Sequence, residues 1–218
     1  AQSGAPFSIN DIVPIANHLT EAGVVAVKAD SPYKTIEELV AAAKEKGNLK
    51  ASTNGNKASN HTAAQLLAKS AGFKYKAIPY GGTADQLLAL RQGEVDFTCA
   101  KVADVAKLVK GDKPELRVLA VFNTKRDPEL PNVPTLGEKG LYPEWYGSAR
   151  ALVAPKGTKP EVIQYYVEAF KKTMQDPAVI EAHKKAGMAL DFKDNKELGD
   201  LIKAQDKFAR DVVNDLYK

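Results

Sequence analysis

The chain has 218 residues, 44% of them hydrophobic and 27% charged, enough to bury one large core or two smaller ones; a disordered or collagenous class is excluded. Lysine and arginine number 31 against 27 acidic residues, a net +4 spread through mixed-sign runs such as Lys44-Glu45-Lys46. No basic stripe with interleaved aromatics offers a surface to nucleic acid, and the mild excess suits an anionic ligand.

The lone cysteine, Cys99, rules out an intrachain disulfide and a thiolate-rich metal site. Its place in Val95-Asp96-Phe97-Thr98-Cys99 predicts a small buried filler in a strand rather than a reactive thiol. No run approaches a membrane span, and AQSGAPFS has neither the basic region nor the apolar core of a signal peptide. The expectation is that a leader was removed ahead of this chain or that none existed.

Residues 1–22 read as irregular, with Pro6 and Pro14 around a short apolar piece. Gly23 to Val27 is a Val-rich run that predicts a buried strand. Thr35 and Glu38 form a capping box, and Ile36, Leu39, Val40 and Ala43 share one face of the helix that follows, which stops at Gly47. Leu49 to Ser52 ends a strand, Asn54-Gly55-Asn56 turns, and a helix over residues 60–69 opens behind Ser59 or Asn60 as N-cap. Tyr75 to Ile78 is the next strand, followed by Pro79-Tyr80-Gly81-Gly82-Thr83-Ala84 and a helix over Asp85 to Gln92. Val95 to Cys99 and Arg117 to Phe122 are further strands, with a helix over Val102 to Lys110 between them.

Strand and helix thus alternate about four times between residues 24 and 122, the pattern of a mostly parallel sheet flanked by helices. In such sheets ligands sit beyond the carboxyl ends of the strands. Both polar loops lie there, and a helix N-terminus with hydroxyls and amides beside it suits a carboxylate or phosphate. The Pro-rich run Asp127 to Pro134 reads as a semi-rigid crossing between two bodies. Beyond it come a strand over Ala149 to Ala154, a helix capped at Thr158 with Pro160 in its first turn, a helix over Pro177 to Lys185, a strand over Ala189 to Phe192, and a last amphipathic helix from Asp194 to Leu216.

Nothing here reads as an enzyme. The three histidines, His18, His61 and His183, are far apart, and there is no metal-binding His pair, nucleophile elbow or paired carboxylate in a polar loop. Ser59 and His61 are two apart at a helix start and point in different directions, so they are not a nucleophile and its base.

The stretches SPYKTIEELVAAAKEKG, ASTNGNKASNHTAAQLLAKSAG, IPYGGTADQLLALRQGEVDF, LRVLAVFNTKRDPELPNVPTLGEKG and WYGSARALVAPKGTKPEVI, in this order, resemble the solute-binding receptors of tripartite tricarboxylate transporters, the TctC or Bug group. The resemblance implies an α/β fold of the type II periplasmic-binding-protein kind, two lobes with mostly parallel sheets, closing on a small organic carboxylate and delivering it to membrane permease subunits. It implies a periplasmic location, no cofactor, no metal and no nucleic-acid partner. It places residues 1–22 as a remnant of the first lobe and hinge, 23–142 as the second lobe with the ligand loops, and 143–218 as the C-terminal part of the first lobe. By position, Thr53, Asn54, Ser59 and Asn60 would meet the ligand from one loop and Tyr80, Gly81, Gly82 and Thr83 from another, with Lys57, His61 and Lys101 as further candidates.

Three departures from the family pattern carry expectations of their own. The βα units that open the family's first lobe have no counterpart, so the chain is expected to be a fragment or a short form whose incomplete lobe exposes apolar surface and associates with another copy or a missing segment. The ligand loop reads Asn-Gly-Asn-Lys-Ala-Ser-Asn in place of smaller residues, and Ala100-Lys101 replaces an acidic residue and Asn, which would favour a more anionic ligand. Two alternatives stand beside the receptor reading: a binding-incompetent receptor fragment, and the effector-sensing domain of a transcription regulator, for which residues 1–22 are too short to supply the DNA-binding helices.

Overall fold

The computed structural model describes residues 6–188 and 190–217, which divide into two compact units: Glu21–Ser148, and the residues before Glu21 together with those from Ala149 onward. A single 17-residue strand, β1 (Ile12–Lys28), contributes to both. This corrects the irregular reading of the chain before Gly23. Pro14 stands only two residues inside the strand, and of the polar residues that break its apolar pattern Asn17 and Glu21 are buried while His18 and Thr20 are half-buried. Asn17 is one of them, and its side-chain amide donates to Asp191 O at 2.8 Å.

In the unit Glu21–Ser148 the remaining strands are β2 (Lys50–Thr53), β3 (Lys76–Pro79), β4 (Phe97–Lys101) and β5 (Leu116–Phe122), in the order β3-β2-β4-β1-β5. β2 is parallel to β3 and β4, whereas β1 is antiparallel to β4 and β5. Four of these five strands therefore run the same way, and their carboxyl ends share one edge. The helices are α1 (Ile36–Lys46), α2 (Ser59–Ala71), α3 (Thr83–Gln92) and the single turn α4 (Val102–Val105).

The predicted capping box is present: Glu38 N–H donates to Thr35 Oγ1 at 3.2 Å, and the Glu38 carboxylate accepts from Thr35 N–H. Gly47 ends α1 at φ 66°, a conformation that glycine adopts without a Cβ clash. The helix expected over Val102 to Lys110 is cut to one turn. Its inward face is buried at Val102, Val105 and Ala106, but the chain then folds back so that Leu108 O accepts from both Glu115 N and Leu116 N. Between them lie Lys110, Gly111, Asp112 and Lys113, a turn-forming and solvated run that gives a longer helix little to bury.

Val24, Ala26, Leu90, Ala100, Val105, Leu116 and Val121 form the centre of one buried cluster of this unit. Phe97 of β4 is buried elsewhere, against the edges of Phe73 and Tyr75, with ring centroids 6.3 and 5.7 Å away.

In the other unit, β6 (Gly147–Pro155) and β7 (Leu190–Lys193) pair with β1, the latter through Asn17↔Lys193 and Leu19↔Leu190. The predicted strand end at Ala189 lies outside the described residues. Helices α5 (Pro160–Met174), α6 (Pro177–Lys185) and α7 (Asn195–Phe208) follow, and α7 continues through a π-turn, Ala209–Val213. Ile15, Ala16, Ile163 and Val167 form its small core. Among the described residues no helix is long and apolar enough to cross a membrane.

Candidate ligand-binding site

The register of the sheet brings the two polar loops together. β2 and β3 pair residue for residue from Lys50↔Lys76 to Thr53↔Pro79, so both loops leave the sheet at one level. They are tied there by Tyr80 N–H, which donates to Thr53 O at 2.9 Å. β4 is aligned with β2 through Ser52↔Thr98 but runs on to Lys101, two residues past the level of Thr53. A lysine there stands above the end of β2, beside the start of α2.

The β2–α2 loop is organised by its own side chains. Thr53 is buried and its hydroxyl donates to Gly55 O at 3.2 Å. Asn54 Oδ1 accepts from Asn60 N–H at 3.2 Å, so a residue six positions back supplies the cap. The expected N-cap moves accordingly: Ala58 occupies that position, and α2 begins at Ser59. Asn60 cannot cap because its side chain is drawn inward, as described below.

Lys57 adopts φ 57°, a left-handed conformation that costs a non-glycine residue energy. Its N–H donates to His61 Nδ1 at 3.0 Å, which helps hold that turn. His61 is buried, and burial together with the neighbouring Lys57 charge lowers its pKa below the ordinary imidazole value. A neutral ring with Nδ1 as acceptor matches the bond it makes. The Lys57 side chain itself is exposed.

In the β3–α3 loop Gly82 immediately precedes α3, and Thr83 is its first helical residue. Gly82 has an extended φ of 174°, and a Cβ built on it would meet nothing within 4 Å. At Gly81 the nearest atom, Asp85 Oδ2, would be 3.5 Å from an added Cβ, an ordinary contact. Neither glycine is required by the protein's own packing. Their effect is to leave the backbone ahead of α3 bare, open to close approach by a bound group. Tyr80 points away from the α3 start, its hydroxyl donating to Glu94 Oε2 at 2.9 Å.

Beneath both loops lies a buried polar network that sequence reasoning missed. Gln86, fully buried in the first turns of α3, accepts from Asn60 Nδ2 at Oε1 (2.9 Å) and donates from Nε2 to Cys99 O (2.6 Å) and Thr98 Oγ1 (2.5 Å). Thr98 donates onward to Ser52 O at 2.9 Å, and Ser52 Oγ lies 3.0 Å from Gln86 O. Lys101 Nζ donates to Asn60 Oδ1 at 2.5 Å and lies 3.4 Å from Ser59 Oγ. Tyr146 was also missed: its hydroxyl donates to Ser59 O at 3.2 Å, and its ring packs edge-on against Phe122.

Cys99 is buried as expected. Burial pushes its thiol up to about 12, with the Lys101 ammonium acting in the opposite sense, so the group stays protonated and unreactive.

The sequence profile described as tripartite tricarboxylate transporter family receptor matches residues 3–216. The chain belongs to that family. It is 37% identical over 170 residues to a Cupriavidus necator protein named for its place in the gbd 5' region, a match covering 78% of this chain and 50% of the relative. It spans about half the length of the curated relatives it matches.

A solved TctC solute-binding protein from Polaromonas, without ligand, superposes with a TM-score of 0.83 at 27% identity, covering 98% of this chain and 73% of that one. MatC from Rhodopseudomonas palustris, solved with bound malate, has the same fold at 22% identity, with a TM-score of 0.76 and coverage of 91% and 68%. The family and these neighbours are solute-binding proteins rather than enzymes, and the periplasmic-binding-protein fold expected from the sequence is the one observed.

Proposed function

We propose that this TctC-family chain is an extracytoplasmic, periplasmic receptor that captures a small organic carboxylate and passes it to the membrane permease subunits of a tripartite transporter. The observation that carries the reading is the in-register pairing of β2 with β3, which sets the starts of α2 and α3 side by side at one edge of the sheet. The bare backbone ahead of α3 with the Thr83 hydroxyl, and the Ser59 hydroxyl at the start of α2, offer N–H and O–H donors to an anion. Malate bound to MatC, a neighbour in fold, supports a carboxylate as the ligand class.

In this reading the ligand meets Ser59, Asn54, Gly81, Gly82 and Thr83, while Thr53, Asn60 and Tyr80 shape the loops through the bonds already described. Isothermal titration against small mono-, di- and tricarboxylates tests it. At least one acid class is expected to bind, and Ser59→Ala is expected to weaken it by about 1.5–3 kcal/mol, the scale of a hydrogen bond to a charged group. Affinity unchanged in that variant, or no binding by any acid, would retire the assignment.

The unit from Ala149 onward carries much exposed apolar surface. β6 is exposed from Ala149 to Val153, and Val162, Tyr165, Tyr166 and Ile180 are exposed on the helices, Tyr165 at 69%. Surface of this kind favours association, and we propose that the chain self-associates through it. Sedimentation velocity across a concentration series is expected to show a species heavier than 23.5 kDa; a monomer throughout would count against the proposal.

A further inference from the structure

We propose that Gln86 is a positioning residue for the carboxylate site, fixing the start of α2 against the start of α3 and so the spacing of the donors that the two loops present. This rests on the receptor reading above and goes beyond it in naming the residue that joins the two halves of the site. Gln86 is the fourth residue of α3, and its own N–H donates to Gly82 O at 3.1 Å, which closes the first turn on the bare residue ahead of the helix. Its side chain reaches the other loop, where Oε1 accepts from Asn60 Nδ2 at 2.9 Å. Asn60 is the second residue of α2 and follows Ser59 directly. One residue therefore holds the chain at both helix starts.

The link is anchored to the sheet. Gln86 Nε2 donates to Cys99 O on β4, and Gln86 O accepts from Ser52 Oγ on β2 at 3.0 Å. A carbonyl can only accept, so Nε2 faces Cys99 and Oε1 faces Asn60, and neither amide can turn over without stranding a partner. Gln86, Ser52 and Thr98 are fully buried and Asn60 is 2% exposed, so a bond lost here is not replaced by one to bulk water. A 2.9 Å bond that lengthens by about 0.7 Å is no longer a hydrogen bond, so the network holds the two helix starts to a narrow range of separation. Donors already held at a fixed spacing need no ordering when an anion arrives, which favours binding. An apolar residue at position 86 would still pack α3 on the sheet, but it would leave the start of α2 untied.

Titration calorimetry with acetate, succinate and citrate, one acid from each class, tests the proposal on the chain at a temperature where circular dichroism shows the proteins folded. Gln86→Met keeps the length of the side chain and removes both amide groups. It should bind the acid that the wild type prefers about tenfold or more weakly, whereas Phe97→Leu, a buried change on β4 that leaves the Asn60–Gln86 bond in place, should stay within about threefold. Gln86→Glu adds a readout that a merely structural residue would not move. Its acid can donate to Cys99 O when protonated and cannot when ionised. The ionisable groups nearest to it are Lys101 and Cys99 on β4, His61 on α2 and Asp85 on α3 itself. Of these the Lys101 ammonium, bonded to the far end of the Asn60 amide, favours the carboxylate, while burial and the stranded Cys99 carbonyl favour the acid. The affinity of Gln86→Glu, taken relative to wild type at the same pH so that ionisation of the ligand cancels, should be near that of wild type at about pH 5 and fall about tenfold toward about pH 9.

A Gln86→Met affinity within about threefold of wild type overturns the proposal, as does a Gln86→Glu ratio that stays flat with pH. A loss in Phe97→Leu as large as that in Gln86→Met also overturns it, since that marks general loosening of the unit. Should Gln86→Met not fold, the pH profile of Gln86→Glu decides alone. A wild type that binds none of the three acids removes the receptor reading, and this inference with it.

Discussion

Replacing Gln86 by leucine will lower the stability of the chain by about 3 kcal/mol in urea unfolding, although leucine is close to glutamine in volume. Gln86 is fully buried, and its amide serves partners on two other elements: Asn60 Nδ2 on α2, and Cys99 O and Thr98 Oγ1 on β4. Leucine leaves all of these without that partner in a place water does not reach, and each stranded group costs about 1–3 kcal/mol. Compensating apolar burial offsets part of the sum.

Gln86→Glu gives a sharper version of the same test. The acceptor facing Asn60 survives, but the donor facing Cys99 O becomes an acceptor unless the carboxyl holds a proton. The folded state therefore favours the protonated acid and raises its pKa above the unfolded value of about 4.3. The sign follows: the variant keeps most of its stability below about pH 4.3 and loses it, relative to wild type, as pH rises through the folded-state pKa. A midpoint for Gln86→Leu indistinguishable from wild type would show that the network contributes nothing.

The periodicity of residues 24–122 made the alternating strands and helices legible, because each element there is set by local pattern: a Val run, a capping box, a glycine stop. The loops that carry the candidate site were legible for the same reason, as polar turns between a strand and a helix. What was hidden is long-range. Asn17 looks like a loop residue and is buried in β1, because its partner, Asp191 O, comes from 174 residues later. Gln86 follows Asp85 in an amphipathic helix and looks like part of the solvated face. Its burial is decided by Asn60, 26 residues earlier, and Thr98, 12 later. Tyr146 reaches Ser59 across 87 residues from a Pro-rich stretch with no pattern to read. The N-cap of α2 moved for a related reason: Lys101 and Gln86 claim the side chain of Asn60, and Asn54 takes over the capping.

Phe97→Ala is expected to have the largest effect of any single change, a loss of about 3–5 kcal/mol in the same unfolding experiment. Phe97 is fully buried in β4, and the edges of Phe73 and Tyr75 meet it at interplanar angles of 76° and 62°. Truncation empties the volume of a ring and removes two edge-to-face pairs at once. Phe97→Leu keeps most of the apolar volume and loses only the ring pairs, so it should cost about 1–2 kcal/mol. The site lies on the same strand: Ala51↔Phe97 and Ser52↔Thr98 are the pairs that align β2 with β4, and Lys101 follows three residues after Thr98. A cavity beneath the first pair should therefore loosen the second, so carboxylate affinity should fall in Phe97→Ala even at temperatures where the chain remains folded, while Phe97→Leu should retain it. If Phe97→Ala is instead destabilised yet binds as the wild type does, the Asn60–Gln86 amides alone hold the loops in place, and the aromatic core serves stability only.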